Sequence, residues 1–321
     1  MRHPFAGSSL AYEQVGGWGV KDIVAELHTA RDSWRAAKQR SREFAVREFP
    51  SREALKEIAE SLCGVLFPMR LGPADLHQEG EDFYVGHTLD TALNTLFQQV
   101  QLELGYHRRL ECEEMKDVEA HAAEIVKDFA RQLPAVRRLL DADVEAAYAG
   151  DPAARSVDEV LLCYPGILAV IHYRLAHPLY ALGVPLVARI IAEIAHSITG
   201  IDIHPGAQIG PGFFIDHGTG VVIGETTIIG SRVRLYQAVT LGARRFTHNE
   251  SGALDKGAPR HPIIEDDVVV YAGATLLGRI TIGHGSSIGG NVWLTRSIPP
   301  GSHVSQASLQ HAPVGAERLA Q

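Results

Sequence analysis

The 321-residue sequence has only three cysteines, and they form no recognisable pattern. Cys63, Cys112 and Cys163 are odd in number and widely separated, so they indicate neither a disulfide framework nor the ligand spacing of a zinc site. Such sparse cysteine usage is typical of proteins that work in a reducing compartment. We therefore expect a cytoplasmic protein.

Long apolar runs and an excess of positive charge are also missing. The longest uncharged stretch of the apolar middle, residues 160–173, is too short to cross a bilayer and contains Pro165. The N-terminus has no basic start followed by an apolar block, so the sequence predicts neither a membrane segment nor a secretion signal. A formal net charge of −8 argues against nucleic acid as a partner.

A six-residue repeat dominates the C-terminal third. Counting in sixes from Ile203 to Val239, and again from Ile264 to Leu294, lands on aliphatic residues at every step except Thr227. Glycines recur at the same spacing, at positions 206, 212, 218, 224 and 230. We expect these glycines at tight corners that need φ > 0. The pattern predicts a parallel β-helix, with three short strands in each coil of about 18 residues and the aliphatic side chains in a shared core.

The first two thirds of the chain show helical periodicity instead. Leu55, Ile58, Ala59 and Leu62 fall on one face of a helix, as do comparable sets near residues 89–100 and 118–133. Pro134 is expected to interrupt this series. Ser156, with glutamate three residues later, predicts the start of a helix over 157–175, followed by another over 184–198.

Together these patterns predict an α+β protein: an N-terminal α-helical domain followed by a left-handed parallel β-helix with one extruded loop. The predicted boundaries are 1–200 for the helical domain, 201–302 for the β-helix and 303–321 for a flexible C-terminal tail. The loop is the insert 243–262, which separates the two runs of sixes. Insertions of this kind often lie on the functional face of repeat proteins.

Polar residues interrupt the repeat, and they are the candidates for chemistry. They are Asp202, His204, Asp216, His217, Glu225, Arg260 and His261. Asp202 lies one coil below His217, and a contact between them would orient the imidazole and raise its basicity, as a general base acting on an alcohol requires. Arg260 and His261 close the insert, where they would suit a carboxylated substrate. A single histidine in such a corner is more often a solvated turn residue, and the spacing of Arg260 and His261 fits the charged base of a loop equally well. The clustering of these residues favours chemistry.

The order and spacing of these residues resemble the serine O-acetyltransferases of the longer-chain bacterial branch. The resemblance covers about residues 151–302 and rests on the segments GIDIHP at 200–205, IDHGTG at 215–220, VIGET at 222–226, VTLG at 239–242 and RHP at 260–262. It implies transfer of acetyl from acetyl-CoA to the hydroxyl of L-serine, giving O-acetyl-L-serine for cysteine synthesis. It further implies acetyl-CoA as a co-substrate, without a permanently bound cofactor or a metal.

The resemblance also implies roles for individual residues. His217 corresponds to the general base and Asp202 to the aspartate that orients it. Serine binding is implied for Asp151, Asp216, Arg260, His261 and Glu225. Of these, Arg260 would bind the carboxylate of serine and Asp151 its amino group. Close approach of the pantetheine arm of the coenzyme is implied at Gly242, Ala243 and Ala272.

The implied partners are serine, acetyl-CoA, further copies of the chain and L-cysteine as an inhibitor. Most left-handed helices of this kind are homotrimers whose ligands lie in the grooves between neighbouring prisms. Pairing of two trimers into a hexamer is left open. The tail ends ERLAQ at 317–321, without the isoleucine that inserts into cysteine synthase in well-studied relatives, so a complex by that route is not expected.

Three other interpretations compete with this one. A trimeric zinc lyase of the γ-carbonic-anhydrase kind would use His204, His217 and His284 as ligands. An acetyltransferase acting on a sugar alcohol would have no need of the long helical front that carries Asp151. A non-catalytic scaffold would not need a cluster of carboxylates and imidazoles such as that at Asp202, Asp216, His217 and His261.

Overall fold

The computed structural model describes residues 18–37, 49–111, 117–245 and 257–306, and the side chains of 107–111 are outside the description. The chain divides into two compact units, residues 1–48 and 49–321. The described part of the first unit is the helix α1 (Val20–Ala37), in which no residue is buried. The second unit contains every predicted site residue, and the remaining observations concern that unit.

Helices make up the front of the second unit. They are α2 (Arg52–Leu66), α3 (Pro68–Leu71), α4 (Glu81–Glu111), α5 (Val118–Gly150), α6 (Val157–Cys163), α7 (Pro165–Ala181) and α8 (Pro185–Thr199), with a 3-10 turn at Gln78–Gly80. The predicted apolar stripe of α2 is buried, and the side chain of Ser51 caps its first turn by accepting the backbone N–H of Ala54.

Two prolines act differently from the prediction. The expected helix over 157–175 is broken at Tyr164, and its two parts, α6 and α7, are bent by 77°. Pro165 causes the break because it disfavours the helical conformation at the preceding residue. By contrast, α5 continues through Pro134, since buried residues such as Leu133 and Val136 on either side hold the helix in place by packing. The predicted start at Ser156 is confirmed, because its hydroxyl accepts the backbone N–H of Glu159 at 3.0 Å.

Across the described residues, no single helix has both the length and the apolar character needed to cross a membrane. The bent pair α6 and α7 meets that test only when its two helices are counted together.

Short strands follow the helices and pair in parallel. They are β1 (Asp202–Ile203), β2 (Gln208–Ile209), β3 (Phe214–Ile215), β4 (Val222–Ile223), β5 (Ile228–Ile229), β6 (Arg234–Leu235), β7 (Thr240–Gly242), β8 (Ile263–Ile264), β9 (Val269–Val270), β10 (Thr275–Leu277), β11 (Thr281–Ile282), β12 (Ser287–Ile288), β13 (Trp293–Leu294) and β14 (His303–Val304). The first sheet contains β1, β4, β7, β10 and β13, the second β2, β5, β8 and β11, and the third β3, β6, β9, β12 and β14. Successive strands thus move from sheet to sheet, three to a coil. The predicted α+β fold with a left-handed parallel β-helix is confirmed.

A second corner of the β-helix, besides the one that holds the insert 243–262, is longer than the regular ones. Across a regular corner, the core residues of two successive strands are six positions apart in sequence, as are Ile203 and Ile209. Ile215 and Ile223 are eight positions apart. The count of sixes does not include the two additional residues, so after Ile215 it lands two positions before the core residue of each strand. The residues that it meets there, beginning with Val221, also face the core. We call residues 216–221 the His217 corner. It joins β3 in the third sheet to β4 in the first.

The repeated glycines serve two purposes rather than one. Gly212 and Gly218 have positive φ, as expected, but Gly206, Gly224 and Gly230 do not. The second group is needed for close packing. At Gly224 an added Cβ would lie 2.0 Å from the Cδ2 atom of His261, so only glycine leaves room for that imidazole.

A buried ion pair attaches the helices to the first coils. Arg174 on α7 pairs with Asp143 on α5 at 3.0 Å and donates to the carbonyl oxygens of Ile209 and Gly210. Asp143 also accepts the backbone N–H of Phe213 at 2.8 Å. Because a buried charge without its partner is strongly destabilising, this network holds the last turns of α5 against β3. The predicted boundary near residue 200 stays a prediction, although α8 ends at Thr199 and β1 begins at Asp202.

Thr227, the exception in the repeat, is fully buried, and its hydroxyl has no hydrogen-bond partner within the described part of the chain. A buried polar group left unpaired costs roughly 1–3 kcal/mol, and valine has nearly the same shape as threonine. We expect Thr227→Val to raise the free energy of unfolding by about 1 kcal/mol, measured by urea denaturation. Thr240→Val, on the outer side of the first sheet, is the matched control. A loss of stability in Thr227→Val would contradict the prediction.

Candidate active site

The predicted site residues lie in two groups at opposite edges of the first sheet. Asp216 and His217 belong to the His217 corner, and the end of α5 brings Asp151 beside it. The other group is the Arg260 corner, which we define as residues 224–227 between β4 and β5 together with 260–262 before β8. Only β4 separates the two corners, and the step from residue 221 to residue 224 spans roughly 10 Å of extended chain, at about 3.3 Å per residue.

His217 is held in the left-handed region of backbone space and projects towards solvent. Its φ is 60°, and its side chain is 71% exposed. The Nδ1 atom lies 3.8 Å from Oδ1 of Asp216, which is close but too long for a hydrogen bond. Asp216 itself is buried, and its second carboxylate oxygen accepts a hydrogen bond from Arg234. An accessible imidazole beside a fixed carboxylate is an arrangement that suits a general base.

Asp151 follows the last residue of α5 and is fixed by two hydrogen bonds. Its Oδ1 accepts the backbone N–H of Ala153 at 2.8 Å, and its Oδ2 accepts the hydroxyl of Tyr164 at 2.5 Å. The bond from Tyr164 is the largest of the effects that lower the pKa of Asp151, and the same bond raises the pKa of Tyr164 to about 12. Asp151 is therefore a carboxylate at neutral pH and suits a cationic group of a ligand.

Asp202, which was predicted to contact His217, lies near two side chains of α8. Its carboxylate lies within 4.8 Å of ligand atoms of Glu193 and His196 on α8. A contact between Asp202 and His217 is not among the hydrogen bonds and ion pairs of the described residues, so the orienting role of Asp202 stays a prediction. Glu193, His196 and Asp202 are close enough to surround a metal ion, but Oε1 of Glu193 already pairs with Arg189 at 2.7 Å.

In the Arg260 corner, Glu225 connects a helix to the predicted substrate arginine. One carboxylate oxygen accepts the hydroxyl of Tyr180 on α7 at 2.8 Å, and the other accepts Nη2 of Arg260 at 2.5 Å. Partial burial would raise the pKa of Glu225, but these two hydrogen bonds outweigh it and the pKa is lowered. Burial and the bond to Glu225 raise the pKa of Tyr180 to about 12. Glu225 therefore orients Arg260 as a charged partner.

The hydrogen bonds of His261 define its tautomer. Its Nδ1 accepts the backbone N–H of Thr226 at 3.1 Å and lies 2.8 Å from the Thr226 hydroxyl. That hydroxyl oxygen in turn accepts the backbone N–H groups of Arg260 and His261, which leaves its proton for Nδ1. Burial and the charge of Arg260 lower the pKa of His261 to about 4. At neutral pH the ring is thus neutral with its proton on Nε2, as a hydrogen-bond donor.

The three small residues predicted to contact the coenzyme are also divided between the two edges of the first sheet. Gly242 ends β7, so Gly242 and Ala243 lie at the edge of the first sheet that holds the Arg260 corner. Ala272 lies between β9 and β10, at the edge that holds the His217 corner.

The histidines named for a zinc lyase lie in three different corners. His204 is between β1 and β2, His217 between β3 and β4, and His284 between β11 and β12. Within one chain these corners lie between different pairs of sheets. The described part of the chain therefore brings no two of the three histidines to one edge.

Three residues that hold the site side chains in place, Tyr164, Tyr180 and Arg234, are not among the site residues predicted from the sequence. Tyr164 and Tyr180 belong to the helical front, where periodicity predicts packing and carries no information about contacts with a distant corner. Arg234 was detectable as a charged side chain at an outward position of the repeat. Its partners lie 18 and 84 residues away in sequence, and that separation conceals the contacts.

The imidazoles of His204, partly buried, and His261, buried, predict a pH dependence of stability. Burial is the main cause that lowers the pKa of His204, and of His261, to about 4 from an ordinary value near 6.5. Between these values the unfolded chain binds more protons than the folded one, so stability is fully present above about pH 6.5 and falls as the pH decreases towards 4. Melting temperatures measured from pH 7.5 to 4.5 should fall less steeply in His204→Gln than in the wild type. The exposed His77→Gln serves as control, and equal slopes in all three proteins would refute the prediction.

Comparison with known proteins finds close relatives. The plasmid serine acetyltransferase of Synechococcus elongatus is 56% identical over 296 residues, which cover 91% of this chain and 92% of that relative. The crystal structure of Entamoeba histolytica serine acetyltransferase 1 in complex with L-cysteine has a TM-score of 0.67 at 38% identity, covering 78% of this chain and 86% of its own. The serine acetyltransferase of Neisseria gonorrhoeae in complex with serine has a TM-score of 0.51 at 28% identity, covering 78% and 94%. No family model matches. Because identity above one half extends over nearly the whole of two chains, this protein belongs to the serine acetyltransferase family.

Proposed function

We propose that this enzyme transfers the acetyl group of acetyl-CoA to the hydroxyl of L-serine, giving O-acetyl-L-serine and coenzyme A. The observation that carries the proposal is the exposed imidazole of His217 beside the carboxylate of Asp216. Serine's hydroxyl is a poor nucleophile at neutral pH, so the reaction needs a base at this position. The names of the relatives, which include proteins in complex with serine and with L-cysteine, support the same choice of acceptor.

The mechanism follows from the groups in the His217 corner. His217 takes the proton of the serine hydroxyl as the oxygen attacks the thioester carbonyl. The carbon–sulfur bond then breaks, the acetyl group stays on the serine oxygen, and the imidazolium returns its proton to the departing thiolate. Asp202 is proposed to orient His217, as the resemblance implies, and Asp216 is the carboxylate that lies nearest to Nδ1.

The remaining residues suit the other groups of the acceptor. We assign the serine carboxylate to Arg260, whose guanidinium Glu225 orients through a hydrogen bond. The serine ammonium is assigned to Asp151 and Asp216. His261, neutral with a proton on Nε2, is proposed to donate a hydrogen bond to a substrate oxygen.

A homotrimer is proposed because the site residues occupy opposite edges of the first sheet. In this arrangement the His217 corner of one subunit faces the Arg260 corner of its neighbour, and each cleft contains one complete site. Acetyl-CoA would lie along the same cleft, against Gly242 and Ala243 of one subunit and Ala272 of the other.

The proposed reaction is tested by thiol release from acetyl-CoA with a panel of acceptors. Serine should give the highest kcat/KM, threonine and homoserine lower values, and sugar alcohols no turnover above background. Preference for a sugar alcohol would replace serine as the acceptor. Hydration of carbon dioxide by a zinc-containing preparation, without thiol release, would favour the zinc-lyase alternative.

The proposed trimer is tested by mixing two inactive variants. His217→Ala and Arg260→Ala are unfolded together, refolded as mixed oligomers and assayed. If each site takes His217 from one subunit and Arg260 from the next, each mixed trimer has one site with both residues intact, and about one quarter of wild-type activity should return for an equal mixture with random assembly. Activity no higher than that of the separate variants would place both residues of a site in one chain.

A further inference from the structure

Arg234, on β6, connects the helical front to the His217 corner. Its Nη1 donates to the carbonyl oxygen of Gly150, the last residue of α5, at 2.6 Å. Its Nη2 donates to Oδ2 of Asp216. The guanidinium also lies over two aromatic rings, 4.9 Å from the centroid of Phe214 and 4.6 Å from that of Tyr236. One side chain thus contacts the residue before Asp151 and the residue before His217.

We propose that Arg234 is a positioning residue of the acceptor-binding pocket. By holding the carbonyl of Gly150 and the carboxylate of Asp216 at once, it sets the separation of Asp151 from Asp216, the two carboxylates assigned to the ammonium group of serine. The proposal rests on the function proposed above and concerns how the acceptor, rather than acetyl-CoA, is bound.

The geometry requires arginine and no other cation. The planar guanidinium presents several N–H groups in fixed directions, so it reaches two acceptors on different elements while its faces contact aromatic rings. The ammonium of lysine is a single point charge at the end of a flexible stem. A cation at the C-terminal carbonyl of a 33-residue helix is also favourable to the helix dipole.

The Nε atom of Arg234 supports a positional role. It is buried, and it has no hydrogen-bond partner among the described residues. A buried N–H without an acceptor is unfavourable, so the orientation of the side chain is determined by its two Nη bonds and its ring contacts rather than by Nε.

The contacts also decide which atoms remain for the acceptor. Arg234 occupies Oδ2 of Asp216, which leaves Oδ1 on the side of His217. Tyr164 and the backbone of Ala153 hold the carboxylate of Asp151. An ammonium group between the two aspartates would therefore meet carboxylate oxygens whose positions are set before binding, and this lowers the entropic cost of binding.

The experiment compares Arg234→Met, Arg234→Lys and the matched control Arg232→Met. Methionine keeps an apolar stem between the rings, so the variant has a better prospect of folding than alanine does. Arg232 is two residues away, 61% exposed, and paired with Asp267 at 2.6 Å, outside the proposed site. Each protein is checked by thermal melting and gel filtration, and KM is measured separately for serine and acetyl-CoA.

The expected result is a rise in KM for serine of about tenfold or more in Arg234→Met, with KM for acetyl-CoA changed by less than about twofold. Arg234→Lys should show a smaller rise in KM for serine than Arg234→Met. Arg232→Met should show no such rise. Hydrogen exchange of the backbone amides of Gly150, Asp151, Ala153 and Ala154 should be faster in Arg234→Met than in Arg232→Met, whatever the acceptor is.

Two results would overturn the proposal: a folded Arg234→Met protein with an unchanged KM for serine, or a parallel rise of both KM values, which indicates a general effect on the fold. The wild-type acceptor panel tests the proposed function separately. If the wild type did not use serine while exchange at 150–154 still depended on Arg234, the choice of acceptor would fail and the bridging role of Arg234 would stand.

Discussion

Replacing His217 by alanine is expected to lower kcat by at least about 100-fold while the protein stays folded, because general-base catalysis contributes factors of about 10² to 10⁴. The side chain is 71% exposed, and its polar neighbour Asp216 lies 3.8 Å away, so its removal leaves no cavity in the core. The loss should appear in the chemical step, with KM for acetyl-CoA little changed. Single-turnover thiol release at saturating substrates measures this step directly.

The backbone at His217 complicates the choice of variant. Its φ of 60° is unfavourable for alanine, whereas asparagine adopts this conformation more readily. His217→Asn therefore removes the base without the backbone cost, and it should lose as much activity as His217→Ala. Arg232→Ala is the matched control, since Arg232 has a φ of 56°, is 61% exposed, and lies between β5 and β6, where the second and third sheets meet rather than at either edge of the first sheet. Turnover near the wild-type value in His217→Asn would exclude His217 as the base.

L-Cysteine is expected to inhibit competitively with serine, and Asp151→Asn should weaken both ligands together. Cysteine has the carboxylate and ammonium of serine with sulfur in place of oxygen, so it meets the same proposed partners, Arg260 and Asp151. Loss of a charge-assisted hydrogen bond to the ammonium should raise KM for serine and Ki for cysteine by at least about tenfold each. The measurement is an inhibition series with serine varied at fixed acetyl-CoA.

The control for this variant is Asp158→Asn, which removes an exposed carboxylate that pairs with Arg70 on the helical front. It should leave both constants unchanged. A rise in KM for serine without a change in Ki for cysteine would place the inhibitor outside the serine pocket. Absence of inhibition at millimolar cysteine would show an enzyme insensitive to this amino acid.

Local patterns in the sequence were sufficient to predict the fold. The six-residue period predicts the coils because the inward side chains, Thr227 excepted, are aliphatic whatever their neighbours are, and the residues it selects, from Ile203 to Leu294, are buried. Ser156 predicts a helix start because a helix cap is also a local feature, made by contacts within one turn. The order of polar motifs in the repeat also indicated the family, which the relative from Synechococcus elongatus confirms.

The details of the candidate site depend on contacts between distant segments. Two additional residues in the His217 corner shift the register while a count of sixes still meets buried residues, so the periodicity alone conceals the change. Asp202 lies near Glu193 and His196 because α8 packs against β1, and the repeat carries no information about these neighbours.

The side chains that position the site also depend on contacts between distant segments. Tyr164 holds Asp151, Tyr180 holds Glu225, and Arg234 joins α5 to Asp216. A repeat specifies which residues face the core, and it leaves the outward positions free of any periodic constraint. Partners for those positions come from helices that reach the corners only after packing. The coils therefore follow from periodicity alone, whereas the placement of charges around His217 and Arg260 follows from how the helical front docks on the β-helix.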